Sequence, residues 1–182
     1  MSSATIKIQH AVLDFLEILM IATFVFVLVY LFVGKMLEVD GGSMEPNYHN
    51  GEQIIAEKIS IQFKDLKRGE IVIFRHPDRP QTMLIKRLVG LPGETIKVFD
   101  GHIYINDELL EEPYIPVGTK TPAGEALKEN VTYKISDGSY VFLGDNREES
   151  TDSRRWGAVP KDLIVGRGIL VYYPFSAFRI MR

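Results

Sequence analysis

The sequence predicts an all-β domain behind one N-terminal transmembrane helix, and three observations predict it. Residues 18–34 (ILMIATFVFVLVYLFVG) carry no charge, a run close to the roughly 17–25 residues that cross a bilayer as a helix. From Val39 onward, short apolar runs alternate with turn residues, a pattern of strands rather than helices. Residues 96–106 read IKVFDGHIYIN, two alternating segments around Asp100-Gly101, a dipeptide suited to the type I′ turn of a β-hairpin.

In chain order, residues 1–11 are expected to be a short cytoplasmic N-terminus, 12–34 the transmembrane anchor helix and 35–182 an extracytoplasmic β domain. The 18–34 run has two rival readings. A cleaved leader carries a short apolar region followed by small residues in an Ala-x-Ala pattern, whereas GKMLEVDGG follows here. A core helix interrupts its apolar residues with a polar stripe, which this run lacks. A permanent single-pass anchor in the cell membrane, in contact with the lipid bilayer, fits best. Lys7 and the amino terminus precede the run and Lys35 follows it, so charge gives only a small bias toward an N-terminus inside.

Beyond the anchor, strands are expected at residues 54–57, 70–75, 83–91, 95–99 and 164–173. A second hairpin is expected over 133–143, turning at Asp137-Gly138. Residues 116–130 (PVGTKTPAGEALKEN) are polar with scattered proline and glycine and read as a surface excursion. The body is then a closed or packed antiparallel β core. Composition narrows the function. A net charge of −3 without a basic tail or stripe argues against nucleic acid as a partner. Cysteine is absent, which excludes disulfides and thiol catalysis, and the four histidines (His10, His49, His76, His102) show no metal-ligand spacing.

Three stretches carry groups that would make a site. In GGSMEP, residues 41–46, glycines free the backbone around Ser43 and let a substrate approach closely. A serine nucleophile needs that exposure, with its own N–H available to an oxyanion; the plain alternative is a glycine-rich turn with an incidental serine. In TMLIKRLVGLPGE, residues 82–94, strand alternation puts Lys86 on one face with Leu84 and Leu88. Such a lysine either snorkels to water or is buried. To be half neutral near pH 7.4, its pKa must fall by about 3, roughly 4 kcal/mol of disfavoured charge, which desolvation among apolar neighbours can supply. A neutral amine would then take a proton from serine, a Ser–Lys dyad without histidine.

In LGDNREESTDSRRWGAV, residues 143–159, polar groups crowd between strand-like runs. The stretch is either a solvated loop or a support for the dyad. In the second reading Ser150 hydrogen-bonds the Lys86 amine and aims it, Asp152 pairs with Arg154, and Gly144 and Asp145 shape a close turn.

Together, in this order behind an N-terminal anchor, the stretches resemble bacterial type I signal peptidases. The serine box matches at Ser43-Met44-x-Pro46, the lysine box at Lys86 through Glu94, and the last box at Gly144-Asp145-Asn146-Arg147, Ser150, Asp152-Ser153-Arg154 and Trp156-Gly157-x-Val159. The resemblance implies a membrane endopeptidase that removes signal peptides from exported preproteins, working near the export translocon. It implies the family's all-β core with a smaller β extension, and no metal or organic cofactor. Ser43 becomes the nucleophile and Lys86 the general base; Ser150 orients the lysine, and Gly144, Asp145, Asp152 and Arg154 support it. The sequence departs from some members at Gly41, where a serine would lend its hydroxyl to the oxyanion. Cleavage after small residues at −1 and −3 is implied, the substrate adding as a strand with alternate side chains in shallow pockets. Val39, Met44, Tyr48, Leu84 and Ile85 are the candidates to line them, with ordinary core packing as the alternative. Two other readings compete: a soluble self-cleaving Ser/Lys protease, against which the apolar run argues, and a non-catalytic membrane-tethered β domain that binds peptides, which leaves Ser43 and Lys86 unexplained.

Overall fold

Glycine and proline are absent from residues 3–32, so nothing interrupts helical hydrogen bonding, and the stretch forms one helix, α1 (Ser3–Phe32). The structure is a computed structural model that describes residues 3–32 and 34–181. The chain divides into two units, Met1–Gly34 and Lys35–Arg182. Within the first, the side chains of residues 12–27 are all exposed, Phe15, Ile18, Phe24 and Phe26 among them. Among the described residues no helix is long and apolar enough to cross a membrane. The anchor expected at 12–34 also draws on Val33 and on the side chains of residues 28–32, which lie outside the described residues.

The second unit is almost all strand. It runs through β1 (Lys35–Glu38), β2 (Gln53–Glu57), a one-turn α2 (Ser60–Phe63), β3 (Ile71–His76) and β4 (Arg79–Gly90). Next come β5 (Thr95–Phe99), β6 (His102–Ile105), β7 (Glu108–Leu109), β8 (Tyr133–Lys134) and β9 (Ser139–Leu143). A one-turn α3 (Ser153–Trp156), β10 (Val159–Pro160), β11 (Ile164–Tyr173) and β12 (Arg179–Ile180) complete it. The large sheet has the order β1-β2-β11-β3-β4-β9-β10, with β12 on β11; the small one has the order β7-β6-β5-β8. All the strand pairs are antiparallel.

The first hairpin forms as expected. Phe99 pairs with His102, and Asp100 and Gly101 both take positive φ, 49° and 75°, as a type I′ turn requires. The second does not. Ser139 N–H closes a turn on Ser136 O, but the flanking strands part company: β8 pairs with β5 in the small sheet and β9 with β4 in the large one. Ile135 stays buried between them, where a Cβ on Gly90 would collide with it.

The 116–130 excursion is also bound more tightly than its polarity suggests. Leu127 is buried, the N–H groups of Ala126 and Leu127 both donate to Arg154 O, and Thr121 N–H donates to Gly101 O. Backbone donors, rather than apolar side chains, hold most of it down.

Alternation sorts the core. Ile85 on β4 packs against the cluster of Val39, Met44, Tyr48, Ile54, Ile71 and Ile73. Leu84 and Leu88, one residue out of phase, pack with Val72, Phe74 and Phe142. A third cluster, with Val89, Ile96, Val98 and Leu143, includes side chains from both sheets.

Candidate active site

Ser43 lies in the turn between β1 and β2. Gly41 holds φ +88° there, a left-handed conformation that a side chain would strain, and its N–H donates to Asn50 Oδ1 at 2.8 Å. Met44 O accepts from Asn47 N–H and Tyr48 N–H at 3.1 and 2.9 Å. The side chains of Met44 and Tyr48 are buried in the core, so the turn is pinned on either side of a half-buried Ser43.

Lys86 reaches the serine from β4. Its Nζ sits 2.5 Å from Ser43 Oγ and 3.0 Å from Ile85 O, and the residue is only 3% exposed. Burial pulls the ammonium from 10.5 down to about 8, since low-dielectric surroundings disfavour the charged form. The carboxylates of Asp152 and Asp145 oppose the shift and the Arg154 guanidinium assists it.

The 143–159 stretch closes over this pair. Asn146 N–H donates to Ser43 O at 3.1 Å and Asn146 Nδ2 to Gly42 O at 3.2 Å. A Cβ at Gly144 would collide with the Ser150 hydroxyl and with Ser43 O, so only glycine lets these strands of backbone meet. Gly144 N–H donates to Asp152 Oδ2 at 3.0 Å. Asp152 takes a bidentate pair from Arg154, 2.8 Å at each oxygen, and also accepts from Arg154 N–H at the start of α3. The expected Asp152–Arg154 pair is therefore present.

Two expectations need correction. Ser150 does not hydrogen-bond Lys86: its Oγ is buried without a partner among the described residues, and Lys86 Nζ is engaged by Ser43 Oγ and Ile85 O. Val39, Met44 and Tyr48 do not line the cleft beside Ser43; they face inward and fill the core. Leu84 and Ile85 do line it. This cleft, about 350 Å³, opens beside Ser43 and Lys86; Leu37, Ile54, Ile73 and Met83 also line it, with Glu38 and Asp40. It lies between β1, the terminal strand of the large sheet, and the part of β4 before Arg87, where pairing with β9 begins.

Sequence reasoning gave no role to Arg87 or Asn47. Arg87 makes a bidentate pair with Asp145 at 2.7 and 2.6 Å, both side chains almost wholly buried, and its guanidinium lies 4.2 Å from the Tyr114 ring centre. Asn47 Nδ2 donates to Asp145 Oδ2 at 2.8 Å and to Tyr114 O at 2.6 Å. One carboxylate thereby ties the serine turn, the lysine strand and the 143–159 stretch together. The available signal was alternation, which turns Arg87 inward on the face opposite Lys86. Among the described residues no group of three histidine, aspartate or glutamate side chains is placed to hold a metal ion.

The family profile described as "Signal peptidase, peptidase S26" matches residues 12–173. The chain belongs to this family. Among its relatives, "Signal peptidase I" of Bacillus licheniformis is 31% identical over 175 residues, 94% of each chain. "Probable signal peptidase I-2" of Synechocystis sp. is 36% identical over 148 residues, 79% of this chain and 65% of the relative, so the chain spans just under two thirds of that protein. The crystal structure of a signal peptidase I from Enterococcus faecalis V583 aligns at a TM-score of 0.48 with 32% identity, over 57% of this chain and 97% of that one.

Proposed function

We propose that this chain is a membrane-anchored serine endopeptidase that removes signal peptides from exported preproteins. The observation that carries the reading is the 2.5 Å contact between Ser43 Oγ and the buried amine of Lys86. With Lys86 neutral, its lone pair takes the Ser43 proton as Oγ bonds to the scissile carbonyl carbon. The carbonyl oxygen becomes an oxyanion beside the Ser43 N–H, which has no hydrogen-bond partner among the described residues. Gly41 supplies no side-chain donor. When the intermediate collapses, the C–N bond breaks and the Lys86 ammonium returns its proton to the leaving amine. Lys86 then deprotonates a water that attacks the acyl-enzyme, releasing the acid and restoring Ser43.

The substrate adds as a strand in the cleft between β1 and β4, with small −1 and −3 side chains against Leu37, Ile54, Leu84 and Ile85. Bulk there excludes larger side chains. Asp145, Asp152, Arg154 and Gly144 hold the dyad in place. The uncharged 18–34 run supplies a single-pass anchor with the N-terminus inside. Tethering enzyme and preprotein to one bilayer, near the translocon, raises their effective concentration.

The test uses a model preprotein and the detergent-solubilised chain. Ser43→Ala and Lys86→Arg are each expected to abolish cleavage in a folded protein, since arginine keeps the charge but cannot act as a base. Near-normal turnover by Lys86→Arg would refute the dyad.

A further inference from the structure

Besides Ser43 and Lys86, the polar side chains that line the cleft are Glu38, the last residue of β1, and Asp40, two residues on; both are exposed. Neither carboxylate has a hydrogen-bond or ion-pair partner among the described residues. The residue opposite Glu38 on β2 is the neutral Gln53. Glu38 and Asp40 form no ion pair with Lys86, which lines the same cleft and is engaged by Ser43 Oγ and Ile85 O. Their negative charge is therefore left uncompensated at the mouth of the cleft.

The pleat decides which substrate residue meets that charge. β1 ends the large sheet, so a substrate strand can lie along its free edge. Side chains opposite one another in neighbouring strands point to the same face. Leu37 is half-buried and Val39 buried, whereas Glu38 and Asp40 are exposed. Substrate residues −1 and −3 share the inward face of Leu37 and Val39, and residue −2 shares the face of the two acids. We propose that Glu38 and Asp40 select preproteins with Lys or Arg at −2 and disfavour Asp or Glu there. This rests on the reading of the Ser43 cleft as the cleavage site.

The test compares three preproteins identical except for Lys, Gln or Glu at −2, cut by the full chain in detergent. Solvent-exposed charges attract weakly, but opposite and like charge act in the same direction on the ratio. The expected order of kcat/KM is Lys, Gln, Glu, with a Lys-to-Glu ratio on the order of ten-fold at low salt. The ratio should shrink as salt is raised, a readout on the unsubstituted protein. It should approach one in Glu38→Gln/Asp40→Asn. A ratio near one at low salt, or one that survives both substitutions, overturns the proposal while leaving the peptidase reading intact. If no substrate is cut, or if Ser43→Ala cuts them equally well, the peptidase reading fails and the selection falls with it.

Discussion

Replacing Lys86 by methionine tests the buried amine without any substrate. Burial takes Lys86 from 10.5 to about 8, and at about 1.4 kcal/mol for each pKa unit the buried charge costs about 3 kcal/mol. The folded pKa is the lower one, so the unfolded chain binds the extra proton between pH 8 and 10.5. Stability attributable to this group therefore rises with pH through that window. The penalty is present in full below pH 8 and gone above 10.5. Methionine matches the stem of lysine and carries no charge, but forfeits the contacts with Ser43 Oγ and Ile85 O, worth about 1 kcal/mol net. Lys86→Met should accordingly be about 2 kcal/mol more stable than the parent near pH 7 and about 1 kcal/mol less stable at the alkaline end. Urea titrations of the full chain in detergent, followed by fluorescence of Trp156, the only tryptophan, would read the difference. Other alkaline titrations are common to both proteins and cancel. A stability gap that stays constant from pH 7.5 to 10.5 would refute the claim that this amine is held in a desolvating site.

Three further outcomes are expected. Because Lys86 titrates at about 8, kcat/KM should climb through pH 8 and be about ten-fold lower at pH 7 than at pH 9; a limb centred above 10 would mean an amine that remains exposed. Gly144→Ala forces a methyl group against Ser43 O and the Ser150 hydroxyl, so it should lose most activity and destabilise by about 1–3 kcal/mol in a urea titration. Arg87→Met strands the buried Asp145 carboxylate and should cost about 3–5 kcal/mol, with Asp145→Leu in the same chain recovering most of it in thermal unfolding.

Much of the domain was legible along the chain because its signals are local. Period-2 alternation located β4, β5 and β11 to within a few residues, and Asp100-Gly101 specified its own turn. The 133–143 hairpin misled because a turn at Asp137-Gly138 fits equally well whether its arms pair with each other or with different sheets. Only the partners β5 and β4 resolve that choice. The 116–130 stretch misled because polar residues do not reveal that the backbone beneath them is held by Arg154 and Gly101 carbonyls.

The dyad divides in the same way. Taken one at a time, a serine after two glycines and a lysine between leucines are weak signals; Ser43 and Lys86 became candidates only through the order of the three stretches and the resemblance they carry. Their contact at 2.5 Å spans 43 residues of chain and exists because β1 and β4 meet at one cleft. By itself the sequence determined the long strands and the first hairpin, since each follows from neighbours within a few positions. The tertiary structure alone decided that Val39, Met44 and Tyr48 serve the core, that Asp145 is held by Arg87, and how far the Lys86 charge is desolvated. Those depend on what distant segments bring to the same volume, and burial is a property of that volume rather than of any stretch of sequence.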